Sequence, residues 1–176
     1  MSSSSITPAV RRIVLTGFMG SGKSTVGPLV AQRLGWQFID ADNIIEAEAG
    51  MKIAAIFAQF GEAGFRTREH STIARLVEEC SLVLALGGGA IENPQTRELL
   101  LSSPGTLLVN LDVQLETTLR RCAGTEGSRP VLADQANLAL RYQRRMPLYR
   151  HAHISIAVDA LTPAEVAAAI VKAAGF

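Results

Sequence analysis

Gly17-Phe18-Met19-Gly20-Ser21-Gly22-Lys23-Ser24 is the stretch that decides how this chain is read. It fits G-x-x-x-x-G-K-[ST] at every fixed position. The run before it, Arg12 to Thr16, is short, apolar and β-branched, and reads as a buried strand. After it, Val26, Leu29, Val30 and Leu34 recur at three- and four-residue steps, the spacing of a helix. A strand, a glycine-rich turn and a helix in that order aim backbone N–H groups and a helix N-terminus at one point, where phosphate oxygens bind. Lys23 adds a positive charge for the β and γ phosphates, and the Ser24 hydroxyl is placed to ligate Mg²⁺. The competing reading, a glycine turn with no ligand, does not account for eight residues matched in this context.

Outward from the loop, strands and helices alternate. Further strands are expected at 36–39, 82–86, 106–111 and 154–158. Helices are expected at 43–50, 53–60, 62–80, 94–101, 113–122, 136–149 (interrupted by Pro147) and 163–174. Leu82 to Leu86 is apolar on both faces, as a central parallel strand must be. The alternation implies an α/β fold with a five-stranded parallel sheet covered by helices on both faces.

Composition narrows the function classes. The 176 residues suffice for one domain of ordinary size, and 48% are apolar, enough for a large core. A net charge of +1 and few aromatic residues argue against a nucleic-acid partner. The apolar runs are too short to span a bilayer, so no membrane association is expected. The polar start, M-S-S-S-S-I-T-P, reads as a flexible tail over residues 1–10 and lacks the apolar run of a signal peptide. Two cysteines, Cys80 and Cys122, show no metal spacing and suit a reducing, cytoplasmic setting, with Cys80 expected to be buried. His70, His151 and His153 read as surface or structural residues. With no heptad pattern or wide apolar stripe, a monomer is expected.

Three further features carry chemistry. Asp40 and Asp42, in F-I-D-A-D, stand at the end of the second strand, where α/β sheets open a ligand crevice. One could serve the Mg²⁺ shell and the other an acceptor hydroxyl; a solvated turn is the plain alternative. Arg66, Arg129 and Arg145 lie in three separate segments. Each alone reads as a surface charge. A kinase, however, needs a cation that arrives with closure, which suits Arg129, and a planar partner for an acceptor carboxylate, which suits Arg66 and Arg145. Gly87-Gly88-Gly89 follows the third strand, and a glycine triple is costly unless the chain passes something closely.

Taken together and in order, G-F-M-G-S-G-K-S-T at 17–25, F-I-D-A-D at 38–42, G-E-A-G-F-R-T-R-E at 61–69, L-G-G-G-A at 86–90, S-R-P at 128–130 and R-R-M-P-L-Y at 144–149 resemble the shikimate kinases. These are small P-loop enzymes of the nucleoside-monophosphate-kinase-like group. The likeness runs from about residue 12 to about residue 174. It implies the sheet order 2-3-1-4-5, a single kinase domain over 11–176, a helical substrate-binding region near 42–70 and a lid near 122–134. It implies transfer of the ATP γ-phosphoryl group to the 3-hydroxyl of shikimate, with Mg²⁺, in the route to chorismate and the aromatic amino acids.

By the same resemblance, ATP is held by Gly17, Met19, Gly20, Ser21, Gly22, Lys23, Ser24, Thr25, Arg121, Arg129 and Pro163. Shikimate is held by Asp42, Phe57, Phe65, Arg66, Gly87, Gly88, Gly89 and Arg145. The metal falls to Ser24 and Asp40, and the catalytic set is Lys23, Asp42 and Arg129. The triple glycine is expected to let the main chain lie against the substrate ring. Asn110, polar within an apolar strand, has no role in this reading. A gluconate-type kinase of the same fold and a nucleotide-binding module without catalysis are the two rival readings.

Overall fold

Every residue of Arg12–Thr16 is buried, which puts this strand, β1, at the centre of the molecule. The computed structural model describes residues 9–122 and 135–176. Around β1 stand β2 (Gln37–Asp40), β3 (Leu82–Ala85), β4 (Thr106–Asp112) and β5 (Ile154–Ala157). All neighbours pair in parallel, in the order β2-β3-β1-β4-β5 that the family resemblance implies. β1 lies between β3 and β4, with Val14 opposite Leu84 on one side and Leu108 on the other. These positions are fully buried, so the apolar runs are explained by burial on both faces.

The helices are α1 (Lys23–Leu34), α2 (Ala41–Ala49), α3 (Ile53–Leu76), α4 (Pro94–Ser102), α5 (Leu115–Cys122), α6 (Gln135–Tyr149) and α7 (Pro163–Ala173). α1 packs against α7, and α2 against α3. Val26, Val30, Val166 and Ile170 are buried in the main core. Ile45, Ile56 and Phe65 form a second, smaller core under α2 and α3.

The start of the sheet is stapled by one side chain. Buried Arg12 donates from Nε to the Glu79 carbonyl at 2.9 Å and from Nη1 to the Pro104 carbonyl at 3.0 Å and Thr106 Oγ1 at 2.9 Å. This satisfies a buried guanidinium with oxygens from the segments entering β3 and β4.

Several local expectations need correction. The two helices expected at 53–60 and 62–80 are both present within α3 and meet at Gly61, whose φ 69° and ψ 178° are not helical, but the second stops at Leu76, short of residue 80. Cys80 therefore lies in the turn before β3 and is exposed, not buried. Pro147 does not interrupt α6, which runs on to Tyr149. It sits in the last turn, where its ring removes only the hydrogen bond to the Gln143 carbonyl and the helix ends two residues later. A short 3₁₀ turn, Ala90–Glu92, follows the triple glycine and was not foreseen.

Gly27 on α1 shows how tightly β2 is seated. A methyl group there would lie 2.7 Å from Phe38 Cδ2 and 3.1 Å from its Cζ. Gly27→Ala is expected to destabilise the fold by about 1–3 kcal/mol, the usual cost of overpacking. In chemical denaturation the Gly27→Ala/Phe38→Leu double variant should lose less than the sum of the two single changes.

Candidate active site

The phosphate loop spans the turn from β1 into α1. Gly17 has φ 139°, and a Cβ there would lie 2.6 Å from the Leu111 carbonyl oxygen, so only glycine fits. Lys23 Nζ donates back over the loop, to the carbonyls of Gly17 (2.7 Å) and Phe18 (3.1 Å) and to Ser21 Oγ (3.3 Å). Two side chains from α5 brace the other side. Thr118 Oγ1 donates to the Met19 carbonyl at 3.1 Å. Arg121 spans the Gly20 carbonyl (3.1 Å) and the Val158 carbonyl (3.2 Å).

Asp40 ends β2 and caps α2. Its Oδ1 accepts from the Asp42 N–H at 3.0 Å, and its Oδ2 accepts from Ser24 Oγ at 3.2 Å. A hydroxyl and a carboxylate are hard oxygen donors of the kind Mg²⁺ takes while keeping its waters and phosphate ligands. Among the described residues no cluster of three or more His, Cys, Asp or Glu could hold a metal.

A cleft of about 920 Å³ joins these parts. Loop residues Met19 to Thr25 line it together with Asp40, Asp42, Gly87, Gly88, Arg121 and Pro163. Pro163 opens α7 behind a Thr162–Glu165 capping box and lines the cleft, as does Arg121. Ile53 and Leu161 add apolar lining that the motifs did not signal.

Asp42 lines the cleft together with Lys23, Gly87 and Gly88. Burial pushes its carboxyl up from the ordinary 3.8 to about 6, and Asp40 adds to the rise, while the charges of Lys23 and Arg66 oppose it. Its Oδ1 is buried without a hydrogen-bond partner, as is Oε1 of Glu69. Burial raises Glu69 too, against the pull of Arg66.

The triple glycine faces these groups. A Cβ on Gly87 would lie 2.9 Å from Asp42 Oδ1 and 3.1 Å from Glu69 Oε1. One on Gly89 would lie 2.8 Å from both Cζ and Nη1 of Arg66. The glycines, expected to let the main chain lie against the substrate ring, also leave room for the protein's own charged side chains. Gly88 is bordered more loosely, with Arg145 Nη1 3.6 Å from its Cβ position, and its carbonyl accepts from Tyr149 Oη at 2.5 Å.

The two arginines converge from different helices. Arg66, on α3, donates to Glu69 Oε2 at 2.6 Å and to Glu62 Oε1 at 3.4 Å. Its Cζ stands 5.3 Å from the Phe65 ring centre, and Phe65 stacks on Phe57 at 4.6 Å. Buried Arg145, on α6, meets Glu92 Oε2 through Nε (3.0 Å) and Nη2 (2.8 Å). Glu69 and Glu92 are missing from the sequence reading. Glu69 had a signal, since it lies one helical turn from Arg66. Glu92 had none, because its partners are over fifty residues away. Arg129 and the proposed lid lie outside the described residues.

Comparison with known proteins adds the acceptor. The family model described as shikimate kinase matches residues 19–174. A shikimate kinase of Moorella thermoacetica is 42% identical over 163 residues, 92% of each chain. The chain belongs to the shikimate kinase family. A second relative, the shikimate kinase of Salinibacter ruber, is 39% identical over 86% of this chain and 79% of its own. The structure of the Acinetobacter baumannii shikimate kinase in complex with shikimate superposes with a TM-score of 0.86 at 36% identity, covering 94% of this chain and 93% of that one. An adenylyl-sulfate (APS) kinase of Mycobacterium tuberculosis, at 19% identity and TM-score 0.60, shares the fold alone. Membership makes this chain an ATP-dependent kinase acting on shikimate.

The raised Asp42 carboxyl carries a stability cost. Its folded pKa lies above its ordinary value, so the penalty is absent below pH 3.8 and complete above about 6. Asp42→Asn removes roughly 3 kcal/mol of that penalty at pH 7.5. The variant should melt several degrees higher than wild type at pH 7.5, with the gap closing near pH 4. A gap independent of pH would show that Asp42 ionisation is not its source.

Proposed function

We propose that the cleft transfers the γ-phosphoryl group of MgATP to the 3-hydroxyl of shikimate, giving shikimate 3-phosphate and ADP. One observation carries the reading. Asp42 stands where the fields of Lys23, in the phosphate loop, and Arg66, in the anion pair, both reach it. A carboxylate between a phosphate cradle and a carboxylate grip is the arrangement that phosphoryl transfer to a hydroxy acid requires.

The roles follow from chemistry and position. The loop N–H groups from Gly17 to Thr25 and the Lys23 ammonium hold the phosphates, while Arg121 and Pro163 flank the base. Ser24 and Asp40 would hold Mg²⁺, which would offset the charge that develops during phosphoryl transfer. Arg66 and Arg145 grip the shikimate carboxylate, Phe57 and Phe65 wall the pocket, and the N–H groups of Gly87–Gly89 meet its polar edge. Asp42 accepts the proton of the attacking hydroxyl as its oxygen bonds to phosphorus and the bond to ADP breaks. Arg129 stabilises the transferring group on closure. The low net charge and reduced-thiol setting support a cytoplasmic monomer with no nucleic-acid or membrane partner.

ADP release with MgATP and shikimate, gluconate or no acceptor tests the reading, which requires rapid release with shikimate alone. Lys23→Ala should abolish turnover, whereas Arg66→Ala should raise the KM for shikimate about tenfold or more with a smaller change in kcat. An unchanged shikimate KM in Arg66→Ala would falsify the grip. Because Asp42 acts ionised, kcat/KM for shikimate should fall as pH drops through about 6, measured with a coupling system that stays in excess.

A further inference from the structure

We propose that Glu92 is a positioning residue for the acidic substrate, holding Arg145 so that one edge of its guanidinium is committed to the protein and the other is presented to the glycine loop. The inference rests on the shikimate carboxylate being the group that Arg66 and Arg145 bind.

The geometry is directional. Glu92 Oε2 accepts from both Nε and Nη2 of Arg145, at 3.0 and 2.8 Å, which uses the whole Nε edge of that guanidinium. The remaining nitrogen, Nη1, is the one beside Gly88. The other carboxylate oxygen, Oε1, does the same for Arg144 on the outside, at 3.0 and 2.6 Å. Side-chain exposure separates the two partners, at 6% for Arg145 and 70% for Arg144. One carboxylate therefore has an inward oxygen that orients a buried cation and an outward oxygen that is tied to the surface.

Glu92 also reaches the second arm of the grip. Its Oε2 lies 3.8 Å from Arg66 Nη2, so two guanidiniums approach a single oxygen. Without that negative charge two partly desolvated cations would repel, and the pair could not hold the spacing that a bidentate carboxylate contact needs. Burial opposes ionisation of Glu92, yet its hydrogen bonds to Arg145 and Arg144 keep its carboxyl below the ordinary range. Glu92 closes the 3₁₀ turn that begins directly after Gly89. The same short segment thus carries the loop that faces the substrate and the carboxylate that aims the arginine.

The other carboxylates near the pair have different work. Glu69 and Glu62 engage Arg66 from its own helix, and Asp42 faces the cleft. Glu92 is the one among the described residues that links α6 to the loop through an ion pair.

The test compares wild type with Glu92→Gln and Glu92→Asp, using shikimate, methyl shikimate and ATP. Glu92→Gln should raise the KM for shikimate about tenfold, a loss of one oriented charged contact, with kcat and the ATP KM within about twofold. The KM for the methyl ester, which has no carboxylate to grip, should not move. Glu92→Asp should recover part of the affinity. An unchanged or lower shikimate KM overturns the proposal, a lower value meaning that Glu92 competes with the substrate. Parallel losses for shikimate, its ester and ATP also overturn it, since they indicate a merely structural role. A second readout is independent of the acceptor: the arginine Nε–H resonance of Arg145, identified by its loss in Arg145→Lys, should exchange slowly with water in wild type and rapidly in Glu92→Gln. If wild type does not turn over shikimate, the acceptor assignment fails, while this resonance still decides whether Glu92 holds Arg145.

Discussion

The space beside residues 87 and 89 is the constraint on which the site depends. Asp42, Glu69 and Arg66 come within 2.8–3.1 Å of where those side chains would begin. A carboxylate and a guanidinium can approach the main chain this closely only if nothing projects from it. The sheet order then does the rest. β3 lies between β2 and β1, so the loop that leaves β3 passes between the acids at the end of β2 and the phosphate loop at the end of β1. Acceptor and donor halves of the cleft meet at that loop because the strands are parallel and finish at the same edge.

The second organising fact is charge balance in a poorly hydrated place. Arg66 and Arg145 are needed as cations, but buried cations without partners are strongly destabilising. Glu62, Glu69 and Glu92 answer them. Asp42 is the contrasting case, a half-buried carboxyl whose Oδ1 has no hydrogen-bond partner and whose ionisation is held back by burial and by the neighbouring Asp40. In the proposed mechanism that cost has a use, since it gives the site a base with a pKa not far below neutrality.

Much of this was legible in the residues. The phosphate loop has a local cause, eight consecutive positions between a strand and a helix, and the apolar runs of β1, β3 and β4 report burial directly. The acids at 40 and 42 follow from where β2 ends. Features set by distant parts of the chain were not legible. Cys80 reads as helical and buried by its local pattern, but α3 stops at Leu76 and leaves it exposed. The glycine triple signals a close approach without saying to what. Glu92 carries no periodic or motif signal, since its meaning depends on α6 folding back over the loop. Asn110, silent in sequence, proves to be a buried strand residue whose Nδ2 meets Ser155 Oγ at 3.2 Å.

The Arg12 staple has a practical corollary. The chain enters β1 at the edge of the sheet opposite the cleft, and the Arg12 contacts to Glu79, Pro104 and Thr106 lock that edge directly beside the point of entry. Tension applied to the chain at residue 9 is therefore met first at this anchored end of the sheet, and the strand ends that carry the catalytic cleft lie beyond it.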